Sequence, residues 1–168
     1  DGVQPVRDFI ASAQKSLLIK QFTFTEPSLV EAVIERHQAG VAVRVMLNPA
    51  RSGGDRANDE TFEQFSDAGV NVQWSNPTFY VTHEKSIVVD DTAALVATFN
   101  LCEKYFTLTR DYGVITHEPQ HVAQIVEVFE AGEHLIRLHF SAFGNSRVPL
   151  ALEVIEPERL ATELVDPS

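Results

Sequence analysis

The sequence predicts a mixed α/β domain, with helices packed over a central mixed β-sheet. Segments with apolar residues at helical spacing alternate along the chain with segments whose apolar residues occur at every second position. The order is helix, strand, helix, strand, loop, helix, strands and helix, which is typical of such domains. A hydrophobic content of 44% in 168 residues is enough for the core of one compact domain.

The first half of the chain predicts a pair of parallel strands joined by a helix. A helix is expected over residues 5–16, strands over residues 17–24 and 41–47, and a second helix over residues 26–37, which Gly40 ends. The strand–helix–strand order implies a right-handed parallel connection.

The second half predicts a hairpin between two further helices. The acidic turn Asp90-Asp91-Thr92 separates two short apolar runs, which is typical of a hairpin over residues 86–96. The remaining predicted elements are a loop over residues 48–56, a helix over 58–68, strands over 70–74 and 108–116, and a closing helix over 119–138.

Two pairs of polar side chains occur at two-residue spacings around this hairpin. His83 and Lys85 precede it, and Thr98 and Asn100 follow it. Since successive side chains of a strand point to opposite faces, each pair shares one face, and the hairpin brings the pairs together. The next predicted strand carries Asp111 to the same region.

These residue types suit the cleavage of a phosphodiester, whose charge repels nucleophiles and whose alkoxide leaving group is poor. The Lys85 ammonium, the Asn100 amide and the Thr98 hydroxyl can each donate to a phosphoryl oxygen. Neutral His83 can act as the nucleophile, provided that a carboxylate such as Asp111 orients its ring. The acid must come from elsewhere, and a second copy of the same histidine across a twofold axis would supply it.

The run His83-x-Lys85-x-x-x-x-Asp90, followed by Ala97-Thr-Phe-Asn100, resembles the HKD signature of the phospholipase D superfamily. The resemblance covers residues 3–138 and implies a phospholipase D-like domain with a single HKD motif. It further implies a metal-independent phosphodiesterase without a cofactor. In that family one histidine attacks phosphorus to form a phosphohistidine, a partner histidine protonates the leaving group, and water or an alcohol releases the product.

Some positions differ from the usual family pattern. Ala97 stands where the family usually has Gly, Thr98 where it has Ser, and Asp111 where it has Glu. The aspartate of the signature, here Asp90, is generally structural in the family. The resemblance implies catalytic roles for His83, Lys85, Asn100 and Asp111, and phosphate binding by Lys85, Thr98 and Asn100.

A single HKD motif is half of what this reaction needs. Residues 1–138 are expected to form the phospholipase D-like domain, and residues 139–168 an extension or a linker to a missing second half. The sequence contains no second HxKxxxxD. The expected partner is therefore a second HKD half, supplied either by another copy of the chain or by a further domain of the same protein.

Charge narrows the class of substrate. With 13 Lys and Arg against 24 Asp and Glu the net charge is −11, which opposes the binding of a polyanion. Arg44, Arg51 and Arg56 near one loop make only a weak basic patch. A phospholipid or a small diester is therefore favoured over nucleic acid. The sequence has no apolar run long enough for a transmembrane segment, and its single Cys102 leaves the compartment undecided.

Other functions remain open from the residues alone. The same scaffold could act as a nonspecific endonuclease, or it could bind phosphate or a partner without catalysis.

A zinc site is suggested by His117-Glu-Pro-Gln-His121, which matches HExxH. Pro119 argues against zinc, because it favours a helix start that leaves His117 outside the helix. The sequence therefore predicts no metal.

Overall fold

The computed structural model describes residues 2–50, 54–77, 79–133, 135–143 and 146–155. Helices and strands alternate through most of this chain. The helices are α1 (Gln4–Ala11), α2 (Pro27–Gln38), α3 (Asp59–Asp67), α4 (Glu103–Thr107) and α5 (Pro119–Glu133). The strands are β1 (Ser16–Gln21), β2 (Ala42–Leu47), β3 (Asn71–Trp74), β4 (Lys85–Val89), β5 (Ala93–Ala97), β6 (Gly113–Thr116), β7 (Leu135–Phe143) and β8 (Ser146–Ile155).

A six-stranded mixed sheet in the order β3-β2-β1-β4-β5-β6 organises the fold. β1, β2 and β3 run parallel, which confirms the predicted strand–helix–strand connection. β4 lies antiparallel to β1, and β5 and β6 follow in antiparallel pairs. The predicted hairpin is confirmed, with Val89 paired to Ala93 across its turn. The fold is therefore of the mixed α/β class that the sequence predicts.

Helices cover both faces of this sheet, and each face has its own core. On one face α1, α2 and α3 pack against strand side chains such as Ile19 and Ile87. On the other face α5 packs through Phe129 against Leu18 and Val88. Because side chains alternate along a strand, the consecutive residues Leu18 and Ile19 enter opposite cores. Burial on both faces explains why Leu17, Leu18 and Ile19 of β1 form a continuous apolar run rather than an alternating pattern.

Two element boundaries near the hairpin differ from the predictions. α1 ends at Ala11 rather than near residue 16, because the backbone N–H groups of residues 14–16 bind the Asp90 carboxylate and cannot extend the helix. The strand predicted over residues 108–116 begins only at Gly113, and the short helix α4 precedes it. The first difference comes from a contact between parts of the chain that are distant in sequence.

The segment after α5 forms a β-ribbon. The helix predicted over residues 119–138 ends at Glu133, and β7 and β8 pair antiparallel as a separate two-stranded sheet. The helix suggested for residues 156–164 lies outside the described residues. Within the described ranges, no helix has both the length and the apolar content needed to cross a bilayer.

A carboxylate ties the hairpin turn to the start of β1. Asp90 and Asp91 have φ values of 54° and 52°, a left-handed conformation that Asp tolerates better than most residues. The Asp90 carboxylate accepts hydrogen bonds of 2.7–3.1 Å from the N–H groups of Gln14, Lys15 and Ser16. Burial alone would raise the pKa of Asp90, but these backbone hydrogen bonds outweigh it and the pKa is lowered. Asp90 thus stabilises the fold at the carboxyl end of β4, which is the end opposite Lys85.

Replacing Asp90 by Asn should lower the free energy of unfolding by about 1–2 kcal/mol at pH 7, because the charge that accepts the backbone hydrogen bonds is lost. Since the folded-state pKa lies below the unfolded value, this stabilisation is present above about pH 4 and is lost as the pH falls through the folded pKa. The difference in the free energy of unfolding between wild type and Asp90→Asn should therefore become smaller at acidic pH.

Urea denaturation at pH 7 and pH 3 measures both effects. Asp91→Asn is the matched control, because it changes the neighbouring turn residue, which has a similar φ. An Asp90→Asn midpoint equal to that of wild type at pH 7 would contradict the stabilising role.

Candidate active site

The predicted site residues meet at one end of the sheet. Antiparallel pairing puts the start of β4, the end of β5 and the start of β6 at this same end. Lys85 is the first residue of β4, and His83, Thr98, Asn100 and Asp111 lie in segments just outside the strands. The structure thus places four of the five predicted residues beside the strand ends rather than on the strands.

The Lys85 ammonium contacts the His83 imidazole directly. Lys85 Nζ lies 3.2 Å from Nδ1 and 3.3 Å from Nε2 of His83, and it donates a 2.8 Å hydrogen bond to the His83 carbonyl oxygen. The centroid of the Phe22 ring lies 4.6 Å from that of His83 and 5.3 Å from Lys85 Nζ. Lys85 is buried and His83 is exposed, so a fixed ammonium adjoins a ring that solvent reaches.

Burial and charge favour the neutral form of this imidazole. Although His83 is exposed overall, the partial burial of its ring lowers its pKa, and the charge of Lys85 lowers this pKa further. Burial also lowers the pKa of Lys85, an effect that the Asp111 carboxylate opposes. At neutral pH His83 is therefore an uncharged nucleophile or base beside a cation, which suits an anionic substrate.

Two buried amides at this end of the sheet have carbonyl oxygens without a hydrogen-bond donor. Asn100 is 5% exposed and Gln21 is 2% exposed, and within the described chain nothing donates to Asn100 Oδ1 or Gln21 Oε1. Gln21 pairs with Lys85 in the β1–β4 register and so shares its face. A buried acceptor without a donor costs about 1–3 kcal/mol, which a ligand or an ordered water at this site would relieve.

The predicted site residues do not include Gln21, although a signal for it exists. The side chains of Leu17 and Ile19 lie on the same face of β1 as Gln21 and are buried in the core. A polar residue at the end of an otherwise apolar strand face indicates that the hydrophobic core ends there and that a functional site begins.

Asp111 binds two hydroxyl groups. Thr109 Oγ1 donates to Asp111 Oδ2 at 2.6 Å, and Thr98 Oγ1 donates to Oδ1 at 2.8 Å. These two hydrogen bonds lower the pKa of Asp111, and the charge of Lys85 adds to them. No hydrogen bond links Asp111 to His83 in the part of the chain that the structure describes. Asp111 therefore acts on Lys85 through its charge. The proton of the Thr98 hydroxyl is already donated to the Asp111 carboxylate.

An amide network holds the segments around the imidazole. The buried Asn58 side chain accepts from Phe24 N at 2.8 Å and donates to the carbonyl oxygens of Phe22 (3.0 Å) and Asn48 (2.9 Å). Asn48 Oδ1 in turn accepts from Thr82 N at 2.9 Å. The network thus positions both the ring that packs on the imidazole and the residue that precedes it. The sequence predicts Asn58 only as the first residue of a helix; in the structure it precedes α3, and its side chain makes no capping bond.

An ion pair between a buried lysine and a partly buried glutamate lies behind the same segment, on the α5 face of the sheet. Lys20 Nζ lies 2.9 Å from Glu84 Oε2 and donates to the Val128 carbonyl oxygen at 3.0 Å. Ser86 Oγ donates to Glu84 Oε1 at 2.7 Å. Glu84 and Ser86 thus point away from the ammonium and the imidazole, as the alternation of strand side chains predicts. The ion pair connects α5 to the segment that carries the imidazole.

Other described histidines lie away from this site. His37 packs beside Gly69, and His121 Nδ1 lies 3.4 Å from Thr116 Oγ1. α5 begins at Pro119, so His117 and His121 do not share one continuous helix face as HExxH zinc sites require. Across the described residues, no group of three His, Cys, Asp or Glu side chains is arranged to hold a metal ion.

Two of the three arginines in the predicted weak basic patch are paired with carboxylates. Arg44 donates to both carboxylate oxygens of Glu130, at 2.6 and 3.0 Å. Arg56 Nε lies 2.6 Å from Asp59 Oδ2. Arg51 lies outside the described residues. The two described arginines therefore offer little attraction for a nucleic-acid backbone.

Comparison with known proteins identifies the family of this chain. The family described as "Cardiolipin synthase, PLD-like domain" matches residues 6–132, which include every strand of the central sheet. The chain belongs to the phospholipase D-like family. The family that the HKD motif predicts is therefore confirmed.

Curated relatives in this phospholipase D-like family are named mitochondrial cardiolipin hydrolases. The protein of Xenopus tropicalis is 32% identical over 118 residues, which cover 70% of this chain and 54% of that protein. The protein of Chlamydomonas reinhardtii is 26% identical over 125 residues, which cover 73% of this chain and 53% of that protein. The chain thus spans about half the length of these relatives.

A solved structure shares the phospholipase D-like fold. The phospholipase D family member Nuc from Salmonella typhimurium superposes with a TM-score of 0.71 at 21% identity, over 77% of this chain and 85% of that chain. This likeness supports the mixed sheet with its flanking helices.

Replacing Lys85 by Met should raise the pKa of His83, because the variant removes a cation in contact with the ring. Burial remains, so the pKa should stay below the ordinary histidine value. An NMR titration of the histidine ring resonances measures the shift. Lys104→Met is the control, since it removes an ammonium that lies over Tyr105 instead. An unchanged or lower His83 pKa in Lys85→Met would rule out the electrostatic effect of the ammonium.

Proposed function

We propose that the chain supplies half of the active site of a phospholipase D-type phosphodiesterase. The contact between the Lys85 ammonium and the exposed His83 ring carries this proposal. Asn100, whose amide is buried at the same end of the sheet, adds a donor for a phosphoryl oxygen. A neutral nucleophile beside a fixed cation is what attack on a phosphodiester anion requires.

In the first step, a ring nitrogen of His83 attacks phosphorus with its lone pair, and the bond from phosphorus to the leaving oxygen breaks. Lys85 and Asn100 donate to the non-bridging oxygens, where negative charge grows in the transition state. An imidazolium of the partner half gives its proton to the leaving oxygen, which departs as an alcohol. The products of this step are a phosphohistidine at His83 and a neutral partner imidazole.

In the second step, water or an acceptor alcohol attacks the phosphohistidine. The partner imidazole takes the proton of the attacking oxygen, the phosphorus–nitrogen bond breaks, and its electron pair returns to His83. At the end His83 is again neutral and the partner imidazole is again protonated. The two steps therefore need no metal ion. We assign the acid to a partner half, because among the described histidines His37 and His121 contact other parts of the fold.

Thr98 and Asp111 have supporting roles in this proposal. The Thr98 hydroxyl donates to Asp111, so it binds a phosphoryl oxygen only by turning away from that carboxylate. Each Asp111 oxygen accepts one hydrogen bond and has a further lone pair, with which it could orient the His83 ring. In the arrangement described here, Asp111 opposes the fall in the pKa of Lys85 and so favours the charged ammonium.

A phospholipid is the substrate class we propose. The relatives that match the HKD region are named cardiolipin hydrolases. The net charge of −11 and the pairing of Arg44 and Arg56 with carboxylates both oppose binding of a nucleic acid. The second HKD half is proposed to come from another copy of the chain or from a further domain.

Replacing His83 by Asn should reduce turnover of bis-p-nitrophenyl phosphate by on the order of 10³-fold or more, because no nucleophile remains. His83 is exposed, so the variant should unfold at the same urea concentration as wild type. The exposed residue His121 provides the control variant His121→Asn, whose rate should not change. Turnover by His83→Asn at the wild-type rate would refute the nucleophile.

Turnover by the wild-type protein should persist in EDTA, because the proposed cycle uses no metal ion. Colorimetric release of p-nitrophenol with and without chelator measures this directly. Inhibition by EDTA would contradict the mechanism.

If the wild-type protein nicks plasmid DNA at low salt in EDTA, and His83→Asn does not, the endonuclease becomes the better assignment.

Activity per chain should depend on association, because each site needs two imidazoles. If the partner half is another copy, specific activity should rise with concentration over the range in which sedimentation velocity shows dimers forming. A chain that sediments as a monomer at every concentration and is still fully active would contradict the shared site.

A further inference from the structure

A cavity of about 430 Å³ lies between α1 and the β5–β6 edge of the sheet. Its volume is within the roughly 300–1,000 Å³ range of pockets that bind small organic ligands. The side chains that form its walls are largely apolar, and several are aromatic: Val6, Phe9, Leu95, Phe99, Phe106 and Ile115. Such walls suit a hydrocarbon chain rather than a polar group.

The cavity adjoins the proposed phosphodiester site. Its lining also includes Thr109, Arg110 and Asp111. Asp111 accepts a 2.8 Å hydrogen bond from Thr98, and its charge acts on Lys85. One residue therefore borders both the apolar cavity and the groups proposed to hold a phosphate.

Arg110 places an unpaired cation at this cavity. Within the described part of the chain Arg110 makes no hydrogen bond or ion pair, although the sequence has 24 acidic residues against 13 basic ones. By contrast, Arg44 and Arg56 are each paired with a carboxylate. An apolar cavity next to a free guanidinium complements a ligand that has a hydrocarbon part and an anionic part.

The segment around Arg110 also exposes large apolar side chains. Leu108 is 83% exposed and Tyr112 is 66% exposed. An exposed leucine and tyrosine on either side of a free arginine favour contact with a lipid, whose surface offers both hydrocarbon and negative charge.

We propose that the cavity binds an acyl chain of a phospholipid whose phosphodiester lies at His83, with Arg110 against an anionic group of the same lipid. The inference rests on the proposed function and specifies how the site recognises the part of the substrate beyond the scissile phosphate. Each methylene that enters the cavity should strengthen binding about fourfold until the cavity is full.

The direct test measures binding and therefore does not depend on turnover. By isothermal titration calorimetry below micellar concentrations, the wild-type chain should bind decyl phosphate more tightly than ethyl phosphate. Ile115→Trp, which fills the cavity, should reduce this preference at least tenfold. Ile115 is 47% exposed, so the larger ring can be accommodated without disrupting the core.

Val114→Trp is the matched control. Val114 is the preceding residue of β6, is 68% exposed and points to the opposite face of the strand. This variant should keep the preference for decyl phosphate.

Arg110→Gln should weaken binding of decyl phosphate and leave binding of decanol unchanged, because only the first ligand is charged.

A second measurement uses the wild-type chain and so does not depend on how the variants fold. In methyl NMR spectra, addition of decyl phosphate should shift the resonances of Leu95 and Ile115, which line the cavity, and not those of Val114. Shifts confined to residues away from the cavity would overturn the assignment.

Other outcomes of these experiments are equally decisive. Equal affinity for decyl and ethyl phosphate, or equal losses in Ile115→Trp and Val114→Trp, would refute the acyl-chain site. A change in sedimentation of Ile115→Trp with its chain preference intact would assign the cavity to a protein partner and also refute it. Failure of the proposed function is distinguishable, because it appears as absent wild-type turnover while the binding preference persists.

Discussion

The antiparallel pairing of β4 with β1 is the constraint on which the rest of the structure depends. In a parallel arrangement, the first residue of β4 would lie at the opposite end of the sheet from the carboxyl ends of β1 and β2. The observed register pairs Gln21 with both Leu47 and Lys85, and so gathers the loops that follow β1 and β2 next to the start of β4. The site is assembled from strand ends that two packed cores hold in place.

The position of the histidine just outside a strand explains why it needs further support. A residue in a sheet interior is held by ladder hydrogen bonds, whereas the segment before β4 must be fixed by other groups. Asn48 and Asn58 fix it from one side of the sheet, and the ion pair between Lys20 and Glu84 fixes it from the other. The HKD motif contains the groups that we propose to react, and these four side chains fix the positions of those groups.

Local patterns predict most of this fold because each element buries an apolar stripe with its own period. The contact between His83 and Lys85 is likewise predictable, since two residues close in sequence carry it. Features that the sequence does not reveal depend on partners farther along the chain: the early end of α1 depends on Asp90, and one of the two hydrogen bonds of Asp111 comes from Thr98. The β-ribbon is missed for another reason, because the apolar residues of 135–140 fit a helical period as well as an alternating one.

The burial of Glu84 against Lys20 has a consequence for the electric field around an incoming anion. Glu84 lies between His83 and Lys85 in the sequence, yet its charge is balanced by Lys20 on the other face of the sheet. A phosphate is therefore attracted by Lys85 at contact distance, while the remaining carboxylates of a chain with net charge −11 repel it from farther away. Dissolved ions screen long-range forces more strongly than short-range ones. Physiological ionic strength thus weakens the repulsion during approach and leaves the attraction at the site largely intact.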